Sequence, residues 1–143
     1  MLVCSSLFFN SSTIKNSYQN LIVWQKAVDL VVEVYKTTAE FPSEEKFGLV
    51  SQMRRCAVSI PSNIAEGSQR RTKKSFSQFI AISKGSCAEL ETQIIISQKL
   101  GYFDESKQKK LIGKNVEIMK MLSSLYAKLQ TPDYRLQTRR IKD

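Results

Sequence analysis

The sequence predicts an all-α fold, an antiparallel up-down-up-down four-helix bundle. Apolar residues recur at three- and four-residue spacing through four long segments, the mark of helices with one buried face. Only 5 Gly and 3 widely spaced Pro occur in 143 residues, so a few long elements fit better than many short strands. The linkers between segments are short, which forces consecutive helices to lie antiparallel.

The first helix is predicted from Asn20 to Glu40. Trp24, Val28, Val31, Tyr35 and Thr38 make one face. Leu21, Val32 and Ala39 extend Val28 and Tyr35 into a second apolar stripe, wider than a single bundle needs. Phe41-Pro42 ends the helix, because the residue before proline is pushed out of the α region.

The second is predicted from Glu44 to Glu66, with Ser43 as N-cap and Glu44 and Glu45 in the first turn, where the helix dipole favours negative charge. Leu49, Met53, Cys56, Ala57, Ile60 and Ile64 form its stripe. Pro61 removes the hydrogen bond to the Ala57 carbonyl and is expected to kink the helix, with Ser62 and Asn63 supplying donors to freed carbonyls. Gly67 is expected at the C′ position.

The third helix follows Thr72 as N-cap, from Lys73 to Leu100, and Gly101 closes it. Phe76, Phe79, Ile80, Ser83, Cys87, Leu90, Ile94 and Ser97 keep helical spacing, and Gly85-Ser86 allow a close approach or a bend. The fourth, from Ser106 to Gln130, is capped by Asp104 or Ser106, carries Leu111, Ile118, Leu122, Leu125 and Leu129, and stops at Pro132. The chain thus divides into a flexible lead-in over 1–19, a bundle over 20–131 and a basic tail over 132–143, with Arg135, Arg139, Arg140 and Lys142.

The chain has no histidine, which removes Ser-His and Cys-His nucleophile pairs, the histidine zinc motifs and the Glu-x-x-His pairs of di-iron bundles. No glycine-rich phosphate loop occurs. Catalysis by lysine or carboxylate alone is the route left open, so no enzyme, catalytic residue, cofactor or metal is predicted. Cys4, Cys56 and Cys87 form no C-x-x-C pair; Cys56 and Cys87 read as small core residues in a reducing compartment, hence the cytoplasm. No apolar run approaches the ~20 residues that span a membrane, and Leu7-Phe8-Phe9 lacks the basic flank of a signal peptide.

The formal charge is +9, from 22 Lys+Arg against 13 Asp+Glu, and calls for a polyanion partner, nucleic acid or an anionic membrane surface. Arg70, Arg71, Lys73 and Lys74 cluster between helices two and three, and Lys107, Lys109, Lys110 and Lys114 at the start of helix four, the opposite end of such a bundle. Lysines at a helix N-terminus oppose its dipole, so something other than helix stability keeps them there. A solvated basic face would account for them as well as phosphate binding would. No aromatic RNA-recognition motif or helix-turn-helix spacing is present, so contact is expected with backbone and shape. Arg54 and Arg55, with Glu66, Glu89 and Glu91, are expected to form inter-helix ion pairs that fix register.

Leu21-Ile22-Val23-Trp24-Gln25-Lys26-Ala27 resembles the opening of the bacterial four-helix-bundle proteins also called 23S rRNA intervening sequence proteins. The run from Gln52 to Gly67 (QMRRCAVSIPSNIAEG) resembles their central signature, and Gly85 to Gln93 with Leu100-Gly101-Tyr102 resembles the third helix and its exit. The likeness covers roughly residues 20–130; Cys56 and Cys87 depart from it, standing where small or polar residues are usual. It implies a four-helix bundle assembled as a homopentameric ring, and a link to nucleic acid through relatives encoded within ribosomal RNA genes. Accessory proteins of diversity-generating retroelements form a related group. The expectation is therefore a non-enzymatic homo-oligomer that binds RNA or DNA. The alternative is an adapter docking an acidic protein, and a third reading is a toxin-antitoxin-like or regulatory module.

Overall fold

The computed structural model describes residues 18–132. The N-terminal lead-in before Tyr18, with Cys4, and the basic tail from Asp133 lie outside the described residues. A short 3₁₀ turn, Tyr18–Asn20, leads into α1 (Ile22–Thr38); a second, Ser43–Glu45, precedes α2 (Leu49–Ser68); α3 (Lys73–Lys99) and α4 (Glu105–Gln130) follow. Helix α1 packs on α2 and α4, and α3 packs on the same two, with no close backbone approach across either diagonal. Every neighbouring pair is antiparallel. Lys26 of α1 meets Glu117 of α4 while Glu33 meets Lys110, and Ile60 of α2 meets Ser83 of α3 while Met53 meets Ser97. This is the four-helix bundle the periodicity predicts.

The core runs the length of the bundle. Leu30, Met53, Ile60, Ile64, Ile80, Leu90, Ile94, Leu111, Ile118 and Leu122 are fully enclosed, each adding roughly 1.5–3 kcal/mol from burial. At the end where α2 and α4 begin, Phe41 packs on the rings of Tyr102 and Phe103 at 5.0 and 5.9 Å. The Tyr102 hydroxyl donates to Glu45 Oε1 at 2.9 Å, tying the two connections together. That bond to a carboxylate pushes the phenol above its ordinary range, with burial adding to it.

Several expectations shift. The buried face of α1 is Val23, Ala27, Leu30, Val34, Thr37 and Thr38. Of the predicted face only Thr38 is buried; Trp24, Val28 and Val31 are partly buried, and Tyr35 is exposed. The true stripe includes Ala27 and Thr37, whose small or polar side chains weaken the periodic signal. The second stripe stays on the outside, with Val32 46% and Tyr35 44% exposed.

Helix α2 begins at Leu49, not at Glu44. Ser43, Glu44 and Glu45 belong to the 3₁₀ turn; Gly48 stands at the N-cap, and Glu45 Oε2 accepts from the Leu49 amide at 2.9 Å. The helix continues through Pro61 to Ser68. Asn63 does donate into the helix, but to the Ser59 carbonyl at 2.8 Å, one turn back, and not to the carbonyl that Pro61 releases. Gly67 is no C′ residue: it lies inside α2, buried, with ordinary φ. A Cβ there would come within 2.7 Å of Phe79 Cβ and 2.8 Å of Phe76 Cδ2, so its role is close approach to α3. Gly85, by contrast, faces open space; its neighbour Ser86 makes the contact, bonding Ser59 at 2.9 Å.

The remaining caps follow the sequence. Thr72 accepts from the Ser75 amide at 3.1 Å, Asp104 from the Lys107 amide at 2.8 Å, and Gly101 takes a φ of +80° after α3.

Candidate nucleic-acid interface

The bundle topology sets the two basic clusters at opposite ends. The turn holding Arg70, Arg71, Lys73 and Lys74 lies at the end where α1 begins, since the Tyr18–Asn20 turn packs on α2. The cluster of α4 lies where α1 ends, as the bond of Lys110 to Glu33 requires.

At the α2–α3 turn, all four cations are exposed. Arg70 Nη2 pairs with Glu66 Oε1 at 2.9 Å, and its guanidinium lies 4.7 Å from the Phe79 ring centre. Such an exposed pair contributes roughly 0–1 kcal/mol.

The α4 cluster is organised around α1. Lys110 Nζ reaches Glu33 Oε2 at 3.6 Å, Lys109 pairs with Glu105 within its own helix at 3.2 Å, and Lys114 flanks Asp29 in a cleft with Lys26 and Glu117. Partial burial works against ionisation of Glu33, yet Lys110, Lys114, Lys36 and Lys107 together hold its carboxyl below the ordinary range. This answers why lysines tolerate a helix start: a carboxylate on the neighbouring helix faces them, and Asp104 and Glu105 offset them in the first turn. Four lysines act on the Glu33 carboxyl, while Glu105 and Glu117 pair with Lys109 and Lys26, and Asp29 lines the cleft beside Lys114. Lys36 and Lys26 of α1 join the α4 lysines in this ridge. Their basic character is plain in the sequence, but only antiparallel pairing of α1 with α4 brings them there.

The expected ion pairs between Arg54, Arg55 and Glu66, Glu89, Glu91 are not formed. Arg54 turns the other way, onto α1. Its Nε donates to Thr38 Oγ1 at 2.9 Å, its Nη2 to the Tyr35 carbonyl at 3.4 Å, and its guanidinium stacks 4.5 Å from the Tyr35 ring centre. Thr38 in turn donates to the Val34 carbonyl at 2.7 Å, which fixes its hydroxyl as the acceptor. Glu66 is taken by Arg70. Glu89 accepts from Gln93 on its own helix at 3.4 Å and faces Arg55 only across a groove also lined by Ser59 and Ser86. Glu91 forms no ion pair among the described residues.

Cys56 and Cys87 are buried thiols pushed up to about 12, first by burial and then by Glu89 and Glu91 respectively. The Cys56 thiol donates to the Ser86 carbonyl at 3.0 Å. They are packing residues. No group of three His, Cys, Asp or Glu among the described residues is placed to hold a metal ion, and no described helix is long and apolar enough to cross a membrane.

The family model described as 23S rRNA-intervening sequence protein matches residues 19–124. A crystal structure of a protein with unknown function from the S23 ribosomal protein family, of Bacteroides thetaiotaomicron, superposes with a TM-score of 0.67 at 22% identity. The match covers 77% of this chain and 100% of that one, and at this identity the likeness is one of fold. No curated protein matches the sequence.

Proposed function

This chain belongs to the 23S rRNA-intervening sequence protein family, and from that premise we propose that it is a non-enzymatic, homo-oligomeric protein that binds RNA or DNA through backbone phosphates. The observation that carries the reading is the gathering of Lys36, Lys107, Lys110 and Lys114 from α1 and α4 around the Glu33 carboxyl. Lys110, Lys109 and Lys26 already pair with Glu33, Glu105 and Glu117, and a polyanion would give Lys36 and Lys107 a partner. The exposed cations of the α2–α3 turn supply a second contact at the far end.

Self-association belongs to the same reading, as the pentameric ring that the family resemblance implies. Exposed apolar residues of α1, Ile22 and Val32, support it. Assembly multiplies weak phosphate contacts by avidity. The unbridged thiols of Cys56 and Cys87 fit a cytoplasmic setting.

The test is fluorescence anisotropy of labelled RNA and DNA across salt concentrations. Affinity should fall with a log–log slope of about −0.7 to −0.9 per phosphate contact. Replacing Lys107, Lys109, Lys110 and Lys114 together with Gln should weaken binding and flatten that slope. Unchanged affinity in that variant refutes the role given to α4. Light scattering that finds a monomer at micromolar concentration refutes the assembly. The second reading, an adapter for an acidic protein, draws on Ile82, Ile96 and Leu100, exposed along α3 and its exit; a captured partner that survives nuclease treatment would favour it.

A further inference from the structure

The most conspicuous surface residue belongs to neither basic cluster. Phe47, on the bend before α2, is 88% exposed. It forms one wall of an open groove of about 480 Å³ between α1 and α2. Tyr35 and Val58 supply further apolar surface, and Lys46, Arg54 and Arg55 supply three cations; no acidic residue lines it.

The cations are held differently, and the difference matters. Arg54 is fixed by its two bonds to α1 and covers the Tyr35 ring, so it presents a rigid, planar, charged platform. Arg55 forms no ion pair among the described residues and is exposed, so its guanidinium is available. The ammonium of Lys46 stands 5.6 Å from the centre of the Phe47 ring and accompanies it into solvent. The groove thus combines an uncovered aromatic face, a guanidinium plane stacked on a second aromatic, and spare positive charge.

We infer that this groove binds single-stranded nucleic acid, with unpaired bases stacking on Phe47 and on the Arg54–Tyr35 platform while Lys46 and Arg55 meet the flanking phosphates. Stacking needs a flat apolar face and tolerates any base; the phosphates need cations that no protein carboxylate has taken. A duplex hides its base faces and could use only the charges. A second copy of this chain would have to bring carboxylates to a groove lined by three cations and no acidic residue, whereas every stretch of nucleic acid carries the complementary charge. The inference rests on the nucleic-acid reading above and deepens it by naming strandedness and a site.

The experiment compares two labelled 12-mers of equal charge, oligo-dT and an abasic strand, by anisotropy with the full chain at fixed low salt. Wild type should bind oligo-dT more tightly. Phe47→Ala should lose about five- to hundredfold of the oligo-dT affinity, the range for one stacked base, and little of the abasic affinity. Phe47→Trp should restore the preference. Because Phe47 is so exposed, its removal leaves the core intact, and circular dichroism verifies that. Equal affinity of wild type for both strands overturns this inference and leaves the broader reading standing. No binding of either strand or of duplex overturns both. A Phe47→Ala variant that changes the oligomeric state in light scattering also overturns the inference, since the ring then belongs to an interface between copies.

Discussion

Replacing Gly67 with alanine tests the packing of α2 on α3 directly. Two terms oppose each other. Alanine gains about 1 kcal/mol over glycine inside a helix. Against this, the new Cβ would lie 2.7 Å from Phe79 Cβ and 2.8 Å from Phe76 Cδ2. The Phe76 ring can rotate, but Phe79 Cβ is fixed to its backbone, so α2 and α3 must move apart. Overpacking of this kind costs roughly 1–3 kcal/mol. The internal standard is Gly85→Ala, in α3, where the added Cβ meets nothing within 4 Å and only the propensity gain applies. Gly85→Ala should therefore stabilise by about 0.5–1 kcal/mol. Gly67→Ala should be less stable than Gly85→Ala by about 1–3 kcal/mol, the steric term alone. Urea denaturation followed by far-UV circular dichroism, at one fixed protein concentration, gives both values from midpoints at equal m. If Gly67→Ala gains stability as Gly85→Ala does, the close approach of the two helices is wrong.

Asn115 is fully buried, donating to the Cys87 carbonyl at 2.8 Å while its Oδ1 has no partner. Asn115→Leu should be neutral or stabilising by up to about 2 kcal/mol, because a lost hydrogen bond of about 1 kcal/mol is offset by removing an unpaired buried oxygen; a loss above 2 kcal/mol in urea would show that Oδ1 is satisfied. Cys56 and Cys87, held near 12, should resist thiol reagents at pH 8 in the native Cys4→Ser protein and react once unfolded. Their raised values mean the folded state keeps protons that the unfolded chain releases, so the thiol contribution to stability is constant below about pH 8 and falls as pH rises from 9 towards 12; a Cys56→Ala/Cys87→Ala variant with the same alkaline profile would contradict this. Glu33→Gln removes the carboxylate from among Lys36, Lys107, Lys110 and Lys114. That variant should lose stability at low salt, recover it at high salt, and bind nucleic acid more tightly, and anisotropy showing weaker binding would remove the α4 ridge from the interface.

The helices and their order were legible because burial periodicity and caps are local. Thr72, Asp104 and Gly101 announce themselves by residue type, and the stripes of α2, α3 and α4 hold with small additions such as Val50 and Asn115. The face of α1 was not legible, because two apolar arcs overlap and the buried one contains Ala27 and Thr37. Periodicity cannot rank two apolar stripes; the neighbouring helices do. The onset of α2 differs for a related reason: Ser43 and the acidic pair after it fit a 3₁₀ turn as well as a helix N-terminus, and Glu45 reaches the Leu49 amide from four residues away.

The basic clusters could be read as charge but not as geometry. By itself the sequence determined four amphipathic helices, their antiparallel sequence, the excess of lysine and arginine, and the absence of histidine chemistry, because composition, spacing and linker length are properties of the chain alone. Tertiary structure alone decided that Arg54 turns to Thr38 and Tyr35, that Glu33 gathers the lysines of α4, that Gly67 is a contact with α3, and that Phe47 stands uncovered beside three cations. A side chain's partner is whatever the packing brings within a few ångströms, and residues far apart in sequence supply it.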